Sequence, residues 1–284
     1  MRKNYSICGK TISIESPLPI TEHENFSIFA VEEGNTDVLI TYNVAETLPC
    51  IPGNSKRAKN GAYVSWDGEE VYRNNPMGVA EGALSSYNFA DTSHSWVYFT
   101  EQSYNVMSDY RYMWNSVSLG QLLLPFKSLL FHASYISVNG EAILFSAECG
   151  VGKSTQAELW RKHRGAEVIN GDKAGVSVEN DGVYAHGLPF CGTSGICKNK
   201  TLPLKAIVLL GQAPENKIRR VTGIEAIQSL LGNIYLDFLA PGETQKCVDV
   251  LIELLNTVPV YRLDCTPDER AVETLAFELG VRSF

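Results

Sequence analysis

The chain has 284 residues, 44% of them hydrophobic and 20% charged. This composition excludes a peptide hormone, a disulfide-stapled mini-protein, a disordered chain and a fibrous repeat. With 24 Lys and Arg against 32 Asp and Glu, the net charge is -8. Such a chain does not collect nucleic-acid phosphates non-specifically, so any anion that it binds must be held by a local site.

The cysteines and the N-terminus indicate the compartment. The seven cysteines are odd in number and include no C-x-x-C pair, which predicts free thiols in a reducing environment. No apolar segment follows the first charges, and no run reaches the roughly 18 apolar residues of a membrane span. We therefore expect a cytoplasmic protein that binds neither a membrane nor nucleic acid.

Residues 1–117 are dense in turn pairs and short β-type runs, which predicts a β-rich N-terminal region. Its predicted strands are 5–14, 37–42, 62–66, 70–73 and 96–100. The pair Asp67-Gly68 predicts a hairpin closed by a type I′ turn. Residues 52–61 are polar and basic, and we interpret them as a solvated connection.

From residue 118 onward strands alternate with helices, which predicts an α/β (α+β) domain over 118–284. Its predicted strands are 129–138, 141–145, 167–169, 175–178, 183–186, 204–210 and 258–263, and its predicted helices are 153–163, 224–231, 245–255 and 268–279. Asn139-Gly140 predicts a tight hairpin. Thr266 and Glu269 predict a capping box for the last helix, and Gly280 predicts its end.

The strongest chemical signal follows the predicted strand 141–145. Gly152-Lys153-Ser154 matches the end of the Walker A motif G-x-x-x-x-G-K-[ST], with Ala147 in place of the first glycine. Backbone N–H groups from Gly150, Val151 and Gly152 at the start of a helix would converge on a phosphate. Lys153 would reach the β- and γ-phosphates, Ser154 would ligate Mg²⁺, and Thr155 supplies a second hydroxyl. The alternative is a strand-to-helix turn that merely needs glycine.

Two further residues are candidates for chemistry at that loop. Asp172 follows a short strand, and a parallel neighbouring strand would place it beside the phosphates, where a carboxylate can hold metal or act as a base. Otherwise it belongs to an ordinary turn, and Lys173 beside it is interpreted as a solvated charge. His132 lies in a strand whose hairpin partner ends in the loop, so we expect it near the γ-phosphate unless it is a core or interface histidine.

The loop over 187–200 is rich in glycine, hydroxyls and lysine and is long for a simple connection. Thr193, Ser194 and Lys198 are its candidate substrate or phosphate contacts, and a structural loop or a lid is the alternative. Cys191 and Cys197 have no histidine at ligand spacing, so we predict no metal site there.

The ordered set of His132, Gly150-Val-Gly-Lys-Ser154 and Asp172 resembles the C-terminal domain of HPr kinase/phosphorylase, whose P-loop architecture is shared with phosphoenolpyruvate carboxykinase. The resemblance covers about residues 118–210. It implies that His132 and Asp172 flank the transferred phosphate, with Asp172 acting as base on a hydroxyl or holding metal, and that the protein forms homo-oligomers. Gly171 and the segment Gly192–Gly195 depart from the family pattern. The chain is therefore more similar to the HPr-kinase-related proteins found with ribosomally made peptides, including lasso peptide kinases.

These observations predict an ATP- and Mg²⁺-dependent kinase that phosphorylates a Ser or Thr hydroxyl of a peptide or small protein, with residues 1–117 as a substrate-recruiting or assembly module. Catalysis is assigned to Lys153, Asp172 and His132, and the metal to Ser154 and Asp172. Two alternatives remain open. One is small-molecule phosphoryl transfer of the carboxykinase type, and the other is a nucleotide-binding sensor or scaffold without chemistry.

Overall fold

The computed structural model describes residues 1–281 except 20, 21, 33, 59, 60, 78, 79, 193, 238, 239 and 241. The chain divides into two compact units with a mixed α/β composition. The first unit holds residues 1–125 and 236–246, and the second holds residues 126–235 and 247–284. The predicted boundary after residue 117 falls within the first unit. In the described part of the chain, no helix is long and apolar enough to cross a membrane.

The first unit is built on a nine-stranded sheet in the order β3-β1-β2-β4-β9-β8-β7-β6-β5. Its strands are β1 (Arg2–Ile7), β2 (Lys10–Glu15), β3 (Ala30–Val31), β4 (Val38–Ala45), β5 (Lys56–Arg57), β6 (Tyr63–Trp66), β7 (Glu70–Met77), β8 (Ala80–Asn88) and β9 (His94–Thr100). Its helices are α1 (Glu24–Ser27), α2 (Tyr104–Met107), α3 (Tyr110–Asn115), α4 (Leu119–Leu123) and the 3₁₀ helix Glu101–Ser103. Tyr5, Phe26 and Trp114 form an aromatic cluster in its core, with ring centroids 5.2 to 5.8 Å apart.

Two predictions for this unit are corrected. Residues 5–14 were predicted as one strand, but Cys8 and Gly9 take φ angles of 52° and 70° and turn the chain into the β1–β2 hairpin. Asp67-Gly68 does join two antiparallel strands, but not through a type I′ turn, because only Gly68 takes a positive φ. The Asp67 carboxylate closes the turn by accepting the N–H groups of Glu69 and Glu70 at 3.0 and 2.8 Å.

The second unit contains an eight-stranded sheet whose path runs β11-β10-β13-β14-β15-β17-β16, with β12 beside β10. Its strands are β10 (Ser128–Val138), β11 (Glu141–Ser146), β12 (Glu167–Asn170), β13 (Lys173–Glu179), β14 (Gly182–His186), β15 (Thr201–Gln212), β16 (Lys217–Val221) and β17 (Val260–Cys265). Its helices are α5 (Lys153–Arg164), α6 (Gly223–Leu231), α7 (Glu243–Leu255, which begins in the first unit) and α8 (Glu269–Leu279), and the 3₁₀ helix Leu124–Phe126 leads into it. Because β15 pairs with both β14 and β11, five of these strands close into a ring.

The hairpin and helix that lead into and out of the glycine-rich loop match their predictions. Asn139 and Gly140 take φ angles of 53° and 80° between β10 and β11, as a type I′ turn requires. Trp160 on α5 is fully buried against Phe145 of β11, in a core that also contains Leu275 of α8. This packing fixes the direction in which α5 leaves the sheet, and therefore the position of the loop before it.

The cap of α8 differs from the prediction. Asp268, and not Thr266, is the N-cap, and its side chain accepts the N–H of Arg270 at 3.0 Å. Thr266 is instead bonded to Asn216, which accepts its N–H at 2.9 Å and donates to its hydroxyl at 3.0 Å. The prediction of a capping box formed by Thr266 and Glu269 is therefore wrong, because the Thr266 hydroxyl is hydrogen-bonded to Asn216, which is distant in sequence.

Candidate functional site

The glycine-rich loop joins β11 to α5 in a backbone conformation that needs its glycines. Gly150 and Gly152 take φ angles of 80° and 125°, which side-chain-bearing residues rarely adopt. A Cβ at either position would meet nothing within 4 Å, so the backbone there faces open space. The N-cap of α5 is Gly152, which has no side chain to bond to the first N–H groups of the helix, so these can receive an incoming acceptor.

Lys153 lies over this loop. Its Nζ donates to the carbonyl oxygens of Ala147 and Glu148 at 2.9 and 3.2 Å, and only 7% of the residue is exposed. Burial lowers the pKa of the Lys153 ammonium, and the nearby Asp172 carboxylate opposes that shift. A cation is thus held at the helix N-terminus, where anions are favoured.

A break in one strand positions Asp172. The first half of β10 pairs with β13 and the second half pairs with β12, so Gly171 and Asp172 occupy the gap between those two strands. The Asp172 carbonyl accepts the N–H of Ala133 at 3.0 Å, and the Gly171 carbonyl accepts the Ser134 hydroxyl at 2.8 Å. The prediction that β12 neighbours β11 as a parallel strand is therefore wrong, because β10 lies between them.

The Asn170 side chain stabilises the turn between β12 and β13. Its buried side chain accepts the N–H groups of Asp172 and Lys173 at 2.9 and 3.0 Å. It also donates to the carbonyls of Leu188 and Phe190 at 3.0 and 2.9 Å. One side chain therefore fixes both the turn that carries Asp172 and the start of the loop 187–200. Sequence reasoning did not single out Asn170.

The Asp172 carboxylate faces His132. His132 Nε2 lies 3.2 Å from Asp172 Oδ1, and both side chains are about one quarter exposed. The hydrogen bond from His132 lowers the pKa of Asp172, and the charges of Lys173 and Lys153 add to that effect. Asp172 is therefore a stably ionised carboxylate that solvent can reach.

The loop and the carboxylate meet at the first turn of α5. Ser154 Oγ lies 3.5 Å from the Gly171 carbonyl oxygen, one residue before Asp172. Ser146, the last residue of β11, donates to the His132 carbonyl at 3.1 Å. The structure thus brings together Lys153, Ser154, His132 and Asp172, all four within the second unit.

The other predicted contacts lie in different surroundings. Ser194 packs on Gly171, where an added Cβ would come within 2.3 Å of the Ser194 hydroxyl. Lys198 Nζ forms an ion pair with Glu167 at 2.7 Å on the protein surface. Thr193 lies outside the described residues. Thr155 lines a cavity beside the loop.

That cavity has a volume of about 520 Å³ and lies between the glycine-rich loop, α5 and the segment after β17. Gln156 and Cys265 line it, and Gln156 Nε2 donates to Cys265 Sγ at 3.3 Å. Gln156 is 3% exposed, and its Oε1 has no hydrogen-bond partner among the described residues. The cavity, the open glycine backbone and the unsatisfied oxygen together fit a polar organic ligand that begins at the loop.

In the described ranges, no three His, Cys, Asp or Glu side chains come together as a metal-binding group. Ser154 and Asp172 offer a hydroxyl and a single carboxylate, which is the donor set expected for a Mg²⁺ ion held mainly by phosphate oxygens and water.

Lys173 differs from its interpretation as a solvated charge. Its Nζ lies 4.8 Å from the centroid of the Tyr235 ring and 5.4 Å from that of Phe190. Burial lowers the pKa of this ammonium, and the Asp172 carboxylate opposes the shift. Tyr235 reaches the site because residues 233–235 run beside the first half of β10, which no local pattern in the sequence indicates.

The comparison with protein-family models gives no match, and neither does the comparison with curated proteins. Among solved structures, the chain is similar to the HPr(Ser) kinase/phosphatase from Coxiella burnetii. The two are 14% identical, the similarity covers 52% of this chain and 94% of that one, and the TM-score is 0.31. At that identity and TM-score, the likeness is a distant structural one and does not establish an activity or a substrate.

Proposed function

We propose that the chain is an ATP- and Mg²⁺-dependent kinase that transfers a phosphoryl group to a Ser or Thr hydroxyl of a peptide or small protein. The observation that carries the proposal is the meeting of two features in one unit. A glycine-rich loop with a buried lysine opens a helix, and an ionised carboxylate paired with a histidine lies next to the first turn of that helix.

Bound ATP would supply the phosphoryl group, and its Mg²⁺ would neutralise charge on the phosphates. Lys153 and the N–H groups of the loop would hold the β- and γ-phosphates. Ser154 and Asp172 would hold the metal. The cavity beside Gln156 and Cys265 would take the nucleoside.

Asp172 would also orient the acceptor hydroxyl and accept its proton. Its lowered pKa makes it a weak base, so its main contribution is to position the hydroxyl with a fixed negative charge. His132 Nε2–H donates to Asp172 Oδ1, which keeps the carboxylate aimed and ionised. Such a transfer depends mostly on placement and electrostatics, which this arrangement can provide.

The first test is thermal unfolding with and without MgATP and MgADP for the wild type and Lys153→Ala. Ligand at about 100 times its dissociation constant stabilises a protein by roughly 2.7 kcal/mol, which raises the melting temperature by a few degrees. We expect Lys153→Ala to lose this shift, because the substitution removes the cation from the loop. Lys162→Ala is the matched control, since Lys162 is an exposed lysine on the same helix. Equal shifts in both variants, or no shift in the wild type, would overturn the nucleotide site.

One observation favours a second candidate, a nucleotide-binding sensor without chemistry. Gly171 stands beside Asp172, so this turn offers one carboxylate to serve both the metal and the acceptor. The sensor predicts tight MgATP binding and no ATP turnover in the wild type. Turnover of ATP that depends on Asp172 excludes it.

A further inference from the structure

Lys173 carries a positive charge that no neighbouring carboxylate contacts directly among the described residues. It is the first residue of β13, and its Cα partner across the sheet is His132 of β10, so both side chains project from the same face. The rings of Tyr235 and Phe190 flank its Nζ. Within the part of the chain that the structure describes, no carboxylate lies within 4.0 Å of Nζ, and Nζ has no hydrogen bond.

This arrangement leaves the charge only partly compensated. Burial removes water from the ammonium, and the faces of two aromatic rings recover part of the lost solvation. A hydrogen-bonded anion would recover more, because such contacts are strong where solvent is partly excluded. Asp172 interacts with Lys173 through its charge, but its Oδ1 is directed to His132.

The contacts of the two lysines near Asp172 indicate whether the anion at Lys173 belongs to the phosphoryl donor or to the acceptor. Lys153 Nζ donates to the carbonyls of Ala147 and Glu148, whereas Lys173 Nζ lies against the rings of Tyr235 and Phe190. Lys153 belongs to the glycine-rich loop, where the phosphoryl donor would bind. Lys173 has separate contacts, on Tyr235 and Phe190, and follows Asp172 directly in sequence, so it is the cation that remains for the acceptor.

We propose that Lys173, between Tyr235 and Phe190, binds an anionic group that the acceptor carries close to the hydroxyl to be phosphorylated. This inference rests on the proposed kinase function and narrows its substrate class to hydroxyl compounds with a nearby carboxylate or phosphate. Lys173 would hold that anion while Asp172 orients the hydroxyl.

The test uses the full chain saturated with MgADP, so that the glycine-rich loop is already occupied. The charged probes are N-acetyl-L-serine, which carries a carboxylate, and glycerol phosphate. The neutral probes are N-acetyl-L-serinamide and glycerol. The rate of acetylation of Lys173 is followed by peptide mass spectrometry, with the highly exposed Lys217 as the internal reference. A bound probe at ten times its dissociation constant should slow acetylation of Lys173 by about tenfold.

We expect at least one charged probe to protect Lys173 and the neutral probes to leave it unprotected. The same charged probe should raise the melting temperature of the wild type and of Lys173→Arg, but not that of Lys173→Met. Protection by neither charged probe, or an equal effect on Lys173→Met, would overturn the anion site. Failure of MgADP itself to stabilise the wild type would instead overturn the proposed function, so the two failures are distinguishable.

Discussion

At the scale of single residues, substitution of Asp172 should affect phosphoryl transfer far more than nucleotide binding. Asp172→Asn keeps the size of the side chain and removes the fixed charge. We expect the MgATP stabilisation to be reduced but not lost, because Lys153 and the N–H groups of the loop would still hold the phosphates after one metal ligand is removed. ATP turnover should fall by about 10²- to 10⁴-fold, the usual contribution of a positioned acid or base. Measurement of basal ATP hydrolysis together with the MgATP melting shift checks this.

Asp181→Asn is the control for that substitution, because Asp181 is exposed in the turn before β14 and its carboxylate is bonded to Tyr184. It should leave both readings unchanged. If Asp172→Asn hydrolysed ATP at the wild-type rate, Asp172 would have no part in the transfer.

His186 predicts how the stability of the second unit depends on pH. It is 4% exposed and bonded to Ser177 and Thr201, and burial lowers its pKa from 6.5 to about 4. His186 takes up a proton near pH 6.5 in the unfolded chain but only near pH 4 in the folded chain. The free energy of unfolding therefore has its full value above pH 6.5 and decreases as the pH falls toward 4. The loss should reach about 3 kcal/mol.

Urea unfolding of the wild type and His186→Gln at several pH values between 4 and 7.5 checks the sign and the size of the effect. In this pH range the unfolding of the variant should take up about one proton fewer than that of the wild type, so its free energy of unfolding should vary less with pH. His163→Gln is the control, because His163 contacts Glu269 and takes no part in the contacts of His186 with Ser177 and Thr201. If the free energy of unfolding of the wild type rose as the pH was lowered from 6.5 to 4, the lowered pKa of His186 would be contradicted.

At the scale of elements, the junction between β12, β13 and the loop 187–200 depends on Asn170. Asn170→Ala would leave two N–H groups and two carbonyls without their partner in a buried place. We expect a loss of about 2 to 4 kcal/mol in the free energy of unfolding, since each unsatisfied buried group costs about 1 to 3 kcal/mol and water recovers part of that. Urea unfolding measures it, with the exposed Asn54→Ala as control. A change below 0.5 kcal/mol, the scale of ordinary surface substitutions, would contradict the role of Asn170.

Elements with a local signal could be predicted from the sequence, and elements defined by distant partners could not. Asn139-Gly140 sets the φ angles of its own turn, and the amphipathic pattern of α5 needs no outside information. The strand β8 and the helices α2 and α3 were not predicted. The same distinction holds in the site. Lys153 follows from its motif, whereas Asp172 was placed beside the loop through a strand pairing that the structure does not have, and the positions of Lys173 and Tyr235 depend on their pairing with β10.

At the scale of the whole molecule, the first unit takes a piece of chain from far along the sequence. Residues 236–246 belong to it, although residues on both sides belong to the second unit. Arg73 Nε donates to Asp237 Oδ2 at 3.0 Å and its Nη1 to the Asn115 carbonyl at 2.7 Å. The Tyr87 hydroxyl donates to the buried carboxylate of Glu243 at 2.7 Å.

This attachment predicts that Asp237→Ala destabilises the first unit. Arg73 is 7% exposed. Loss of the Asp237 carboxylate leaves the buried Arg73 charge with the Asn115 carbonyl as the remaining hydrogen-bond acceptor among the residues that the structure describes. We expect a loss of about 3 to 5 kcal/mol in the free energy of unfolding, as for other broken buried ion pairs. The double variant Arg73→Met with Asp237→Leu should recover part of this loss, because it removes the charge along with its partner. Full stability of Asp237→Ala in chemical denaturation would show that the pair does not hold the segment.

The discontinuity of the first unit also sets an order for its completion on the ribosome. After Pro125 has been synthesised, another 110 residues, 126–235, must follow before the returning segment begins. At about 5 to 20 residues per second, this interval is on the order of 5 to 20 s. During that time Arg73 and Tyr87 lack the carboxylates that they bind in the finished protein, so the first unit cannot be completed until residues 126–235 of the second unit have been made.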